Sequence, residues 1–299
     1  MWRAAAVGMA IVLGGQAGLA QIQWATGQNV APIFEGWMRS PDGSIDMIFG
    51  YLNRNWEEVL HVPVGPDNTV QPGGPDRGQP TVFVPRRATQ PPGERREQFV
   101  FRVRVPKDWK PDQELIWTVT ANGRTDRAIG TLNPLEEMDN AVIAANRSFG
   151  SAVEGNVAPS VKLTASKTTV PASESVSLTA VVTDDGLPKT RRTPSGRPSA
   201  GAAPPAAAAA AMAGRIAGLH VRWMLYRGPG NVTFTPERSP IDAADGPVSG
   251  AKATSSAKFS APGAYMLRAF VDDGSLIGTA EVAVNVTSGA TSSEGSSRR

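Results

Sequence analysis

Apolar residues recur at every second position through much of this chain. The pattern is most regular between Phe259 and Val286. Tyr265, Leu267, Ala269 and Val271 alternate in one run, and Ala280, Val282, Val284 and Val286 in the next. Successive side chains on a strand point to opposite faces, so a period of two predicts one buried and one wetter face. Asp272-Asp273-Gly274 lies between the runs and supplies residues that tolerate positive φ at a reversal. The stretch predicts a β-hairpin.

The same period predicts strands earlier in the chain. Candidates are Ile33–Met38, Ser44–Leu52, Glu58–Val64, Thr81–Val84, Gln98–Val105, Leu115–Ala121 and Thr125–Leu132. In Gln98–Val105 the inward row is Phe99, Phe101, Val103 and Val105, with Arg102 and Arg104 outward. Asn122-Gly123 is a strong hairpin turn. The Pro/Gly-rich stretch 65–80 predicts no regular structure. This density of short strands predicts a sandwich over 32–138, preceded by an arm at 21–31. A connector follows at 139–158, with a short helix expected around Leu135–Ala145.

A second sandwich is predicted over 159–287. Val161-Lys162-Leu163 starts a strand, and Val176, Leu178, Ala180 and Val182 form an inward row. Val221, Trp223 and Leu225 form another. Residues 188–215 are Ala/Pro-rich and basic, with too little apolar bulk to offset the entropy of ordering. They read as a disordered loop inserted between two strands. Residues 288–299 read as a disordered tail. The predicted fold class is all-β: two immunoglobulin-like β-sandwich domains in tandem.

Composition narrows the chemistry. The 299 residues include no Cys, which excludes thiol nucleophiles, Fe–S clusters and Cys-ligated zinc. A formal net charge of +3 is weak ground for an anionic partner, and nucleic acid is not expected. Residues 1–20 carry an early Arg3, a short apolar run and small residues ending at Ala20. This predicts a cleaved signal peptide and an exported protein, periplasmic, extracellular or cell-surface associated. No transmembrane helix is expected after cleavage.

Part of the second half is more specific. Trp223 is followed by Gly228-Pro229-Gly230-Asn231-Val232-Thr233-Phe234. Then come Phe259-Ser260-Ala261-Pro262-Gly263-Ala264-Tyr265 and Asp272-Asp273-Gly274. Over about 159–287 this resembles the PKD-like, immunoglobulin-like domains of bacterial exported proteins. It departs from the common Trp-Asp-Phe-Gly-Asp-Gly pattern, having Trp223-Met224-Leu225-Tyr226 instead. Leu178, Trp223 and Leu267 fall where an immunoglobulin domain has its Cys, Trp and Cys. The resemblance implies a spacer or binding module and no catalytic residues. The first half, with Gly50-Tyr51-Leu52-Asn53-Arg54-Asn55 and Asp76-Arg77-Gly78-Gln79-Pro80-Thr81, resembles exported bacterial β domains; this implies no function.

Candidate chemistry is sparse. His61 and His220 lie on strands, each expected to face away from the inward row. Ser249–Lys252 and Ser255–Lys258 match S-x-x-K, but in what reads as a Gly/Ser-rich loop. Arg77, Arg86, Arg87, Arg95 and Arg96 read as a solvated loop cluster. The pairs Asp184-Asp185 and Asp272-Asp273 read first as turn formers. If they shared one end of the sandwich they could hold Ca²⁺; no other cofactor is implied. Tyr51, Trp56 and Trp109 are the candidate binding residues, since aromatic rings in polar surroundings stack sugars or anchor partners.

The expectation is a non-enzymatic envelope protein acting in adhesion, scaffolding or protein-ligand binding. A carbohydrate-binding accessory protein using Tyr51, Trp56 and Trp109 on one face is the alternative. A secreted hydrolase with an unrecognised site is the third reading.

Overall fold

The computed structural model describes residues 24–40, 42–85, 96–147, 154–188, 218–243 and 246–288. The expected leader, most of the Ala/Pro-rich insert, most of the tail, and Arg86, Arg87 and Arg95 lie outside the described residues. The chain is all-β, with two sandwiches in tandem.

The first half comprises β1 (Val30–Arg39), β2 (Ile45–Asn53), β3 (Leu60–His61), β4 (Asn68–Gln71), β5 (Val82–Phe83), β6 (Glu97–Val105), β7 (Leu115–Ala121) and β8 (Arg124–Gly130). They form sheets β1-β2-β6 and β4-β7-β8 and the small pair β3-β5. Asn122 and Gly123 both take positive φ between β7 and β8, as that turn requires. Phe49, Phe101 and Trp117 meet in the core, Phe101 edge-on to Trp117 at 4.8 Å. The arm is docked rather than loose: the Trp56 N–H donates to Trp24 O at 2.8 Å and Glu57 N–H to Ala25 O at 2.9 Å.

Two expectations fail here. The stretch 65–80 contains β4. Its turns are held from within by buried Asn68, which donates to Val62 O and Pro80 O and accepts from Trp117 Nε1. Burying an amide requires such partners, and here they organise a segment whose Pro and Gly content hides it. Phe99 also leaves the predicted inward row. The β2–β6 register shifts between Phe49 and Tyr51, Phe99 takes φ 55°, and its ring packs with Ile143, Ala144 and Leu276 instead. A bulge re-aims the side chains it contains, and a strict period of two cannot foresee one.

The connector contains a 3₁₀ turn, Pro134–Glu136, and helix α1 (Asn140–Arg147). The second half comprises β9 (Ser160–Ala165), β10 (Thr169–Pro171), β11 (Ser175–Asp184), β12 (His220–Arg227), β13 (Val232–Thr235), β14 (Arg238–Pro240), β15 (Val248–Phe259), β16 (Gly263–Asp272) and β17 (Ile277–Thr287). The sheets are β10-β17-β16-β12-β14 and β13-β15-β11-β9. β9 pairs antiparallel with β11, whereas β10 runs parallel to β17, so the first strand divides between the sheets in immunoglobulin fashion. Leu178, Trp223 and Leu267 share one apolar core. The predicted hairpin is β16–β17, paired Tyr265 with Val284 and Leu267 with Val282. The S-x-x-K matches sit in β15, a strand and not a loop. Ser255 and Lys258, three apart on a regular strand, face opposite ways, while the bulge at Gly250 leaves Ser249 and Lys252 on one exposed face, where nothing holds the amine on the hydroxyl as a helical turn would.

The largest departure concerns the predicted wetter faces of β12 and β16. Met224, Tyr226 and Phe270 point away from the second core and are buried in the first, among the residues around Phe49 and Trp117. Val82 of the first half packs in the second core. Each fully buried side chain of this kind contributes roughly 1.5–3 kcal/mol. The sheet bearing β12 and β16 is therefore covered on both sides.

Candidate functional site

The seam between the halves is bonded as well as packed. Tyr226 O accepts from Thr81 N–H at 3.1 Å, and the Tyr226 hydroxyl donates to Gly78 O. Arg227 grips Asp76 through two nitrogens at 2.8 and 3.0 Å and donates to Gln79 O. Arg268 lies 3.5 Å above the Tyr226 ring, pairs with Glu281 and donates to Val100 O. Its charge is thus held by a ring face, a carboxylate and a carbonyl, which offsets the cost of burying it. Burial pushes the Tyr226 hydroxyl up to about 12.

The predicted binding aromatics do not gather. Tyr51 is fully buried, edge-on to Phe83 at 5.0 Å, and its hydroxyl accepts from Val84 N–H. This corrects its assignment as a surface binding residue. Trp56 and Trp109 are half-buried. Trp56 follows the Asn53 end of β2. Trp109 follows Val105 of β6, which pairs with Ile45 at the opposite end of β2. Eight strand steps separate those ends by roughly 25 Å. β2 thus carries Trp56 and Trp109 to opposite ends of one sandwich, with Tyr51 buried within it.

Both histidines are held by hydrogen bonds. The His61 ring bridges the halves, Nδ1 to Gly228 O at 3.2 Å and Nε2 to Asn231 Oδ1 at 2.9 Å. His220, expected to face outward, is buried and engages Gly218 O. Arg77 is committed to Pro72 O and Arg104 O, and Arg96 to Glu35.

The two Asp-Asp-Gly turns do share one end of the second sandwich. Asp184, at the tip of β11, and Asp273, just past β16, line the same cleft of ≈ 220 Å³, with Gly186, Leu219, Ile241 and Asp242. Their neighbours in sequence are already engaged. Asp272 holds Arg147 of α1, Nη2 to Oδ2 at 2.6 Å. Burial alone would raise the Asp272 carboxyl, but Arg147 outweighs it and the group is held below the usual range. Asp185 accepts from Val157 N–H with one oxygen and from Leu187 N–H with the other. Asp184 and Asp273 differ. They are 7% and 4% exposed; Asp184 keeps Oδ1 buried without a hydrogen-bond partner, whereas the Asp273 side chain accepts from Ser275 and Leu276 N–H and is also hydrogen-bonded by Asn156. Burial pushes Asp273 up to about 6, and burial together with the nearby Asp185 charge raises Asp184. Asn156 of the connector stands beside Asp273, and its side chain hydrogen-bonds the Asp273 carboxyl, which lowers that group against the rise from burial. Gly278 lets the connector lie here, since a Cβ would come 1.8 Å from Pro159 O. Sequence reasoning named the aspartates but missed Asn156, which carries no motif.

No family model and no curated protein matches the chain. Among solved structures, the D00–D0 domain of intimin aligns over 86% of this chain and 99% of its own, at 11% identity and a TM-score of 0.25. FdeC, an Escherichia coli adhesin, aligns over 91% of this chain and 67% of its own, at 12% identity and 0.23. A conjugative transposon lipoprotein from Bacteroides eggerthii DSM 20697 covers 42% of this chain with 96% of its own, at 12% identity and 0.25. These likenesses are distant.

Proposed function

We propose that the chain is an exported, non-catalytic envelope protein that works in adhesion, scaffolding or protein-ligand binding through its sandwich surfaces. The seam carries this reading. Halves joined by a short connector move relative to one another unless their interface is large and apolar. Here Met224, Tyr226 and Phe270 lie in the first core, Val82 lies in the second, and Arg222, Arg227 and Arg268 tie the edges. Such a joint fixes the angle between two outer surfaces, which suits a spacer or a presenting scaffold. The PKD-like wording of 159–287 supports the same reading, with sandwiches at 32–138 and 159–287 and a leader at 1–20.

The test is fractionation of a bacterium expressing the full tagged chain, combined with cross-linking in intact cells. The expected outcome is a processed protein outside the cytoplasm, cross-linked to an envelope partner. Retention in the cytosol overturns the reading. So does turnover of a glycosidase, esterase or peptidase substrate that one point mutation abolishes.

A further inference from the structure

We infer that the outer face of the β13-β15-β11-β9 sheet is a docking surface for a polyanionic polysaccharide. The inference rests on the proposed function and names a partner class for one of its sandwich surfaces. The sheet bearing β12 and β16 is covered on both sides, whereas this sheet turns its outer side chains to solvent. Along β15, Lys252, Thr254, Ser256 and Lys258 are exposed and alternate with buried Ala253, Ser255, Ala257 and Phe259. Register sets the outward residues in rows. Lys162, Val181 and Lys252 stand abreast, with the two lysine backbones roughly 10 Å apart. Next come Thr164, Thr179 and Thr254, and then Ser177, Ser256 and Thr235. Lys258 closes the array, roughly 20 Å along β15 from Lys252.

The charge on this face is of one sign. No outward position of the four strands holds Asp or Glu. Among the described residues, no carboxylate pairs with Lys162, Lys252 or Lys258. Lys167, in the turn after β9, does find one, Glu174 at 2.7 Å. The whole chain nearly balances 30 basic against 27 acidic residues, so a face bearing cations alone is a local excess. Such a face concentrates anions over it. The remaining side chains select the kind of anion. Protein interfaces centre on aromatic, Met and Arg side chains and are poor in Lys and Ser, the reverse of this face. A lipid surface calls for apolar side chains that insert, and single-stranded nucleic acid for rings that stack; no outward position supplies either. Serine and threonine hydroxyls both donate and accept hydrogen bonds, as sugar hydroxyls do. Rows of them bracketed by lysines therefore suit a hydroxylated chain with spaced anionic groups. This face is separate from Tyr51, Trp56 and Trp109, which lie in the first half.

The test is biolayer interferometry of the full chain on immobilised polygalacturonate, with neutral dextran, phosphatidylglycerol vesicles and polyglutamate in parallel. The expected result is binding to polygalacturonate and not to dextran, weakened ~10-fold or more between about 50 and about 500 mM NaCl. The triple variant Lys162→Gln/Lys252→Gln/Lys258→Gln should bind ~10-fold or more weakly, and Thr254→Val ~2–10-fold more weakly. The charge-matched control Lys107→Gln/Lys110→Gln/Lys167→Gln, off the face, should bind as wild type. Exposed substitutions of this kind barely change stability, which thermal melts check. Should the triple variant fail to fold, each single Lys→Gln variant of the face carries the test, with a ~2-fold or greater loss expected. Overturning results are no binding to polygalacturonate, an equal loss in the control, or equal or tighter binding to the vesicles or to polyglutamate. Any of these, with export and cross-linking intact, removes this inference and leaves the proposed function standing.

Discussion

Arg222 of β12 and Glu97 of β6 form a two-pronged ion pair across the seam, at 2.8 and 3.1 Å. The side chains are 17% and 4% exposed, and the Arg222 guanidinium lies 4.6 Å above the Phe270 ring. Removing one member strands the other charge in an apolar seam. Arg222→Met and Glu97→Leu are each expected to destabilise the protein by about 3 kcal/mol. The double variant Arg222→Met/Glu97→Leu should lie much closer to wild type. Urea denaturation of all three, read as a double-mutant cycle, checks this; additive losses would mean that the pair does not act as one unit.

Glu35 gives the protein a pH dependence of definite sign. Its side chain is 3% exposed, and burial pushes its carboxyl up to about 7, with the more exposed Arg96 offsetting only part of that rise. An acid whose folded pKa lies above its unfolded value binds more protons when folded between the two. Its contribution to stability is therefore full below about 4.5 and falls as pH rises through about 7. Glu35→Gln is expected to stabilise the protein by up to about 3 kcal/mol at pH 8 and to change little at pH 4. Denaturation midpoints at both pH values check it, and a gain independent of pH would refute the assignment.

The aromatic residues should separate by burial. Tyr51→Ala is expected to cost about 3–5 kcal/mol through the lost core volume. Tyr51→Phe should cost about 1 kcal/mol or more, because Val84 N–H loses its acceptor. Trp56→Ala and Trp109→Ala should each cost less than Tyr51→Ala. Thermal melts of the four variants test the ranking.

The second half should not survive excision unchanged. A chain of residues 154–299 leaves Met224, Tyr226 and Phe270 without their cover from the first half. Exposed apolar patches of this kind drive association. Expected outcomes are binding of a hydrophobic dye and concentration-dependent self-association in ultracentrifugation. A monodisperse monomer that ignores the dye would show that the seam contributes little.

Much of the architecture was legible in the residues. The inward rows Val176–Val182 and Tyr265–Val271 are buried as the alternation implies, and Asn122-Gly123 forms its turn. What escaped has physical causes. Period two assigns faces relative to one strand and does not reveal that a second sandwich covers the outer face, so Met224, Tyr226 and Phe270 read as wetter positions. Phe99 sits at a bulge, which local pattern does not encode. β4 depends on Asn68, whose bond from Trp117 spans 49 residues. At the acidic cleft the two Asp-Asp-Gly turns were visible, but how each aspartate is engaged depends on Arg147, Asn156, Val157 and Leu187.

The parallel union of β10 with β17 has a mechanical consequence. Asn285 N–H donates to Thr168 O and Ala172 N–H to Thr287 O, so the last strand is laced alongside β10 in a common direction. Tension along that strand strains these links simultaneously, like sliding two glued laths, and does not peel them singly. A tether fixed at the carboxyl end would meet its stiffest resistance there.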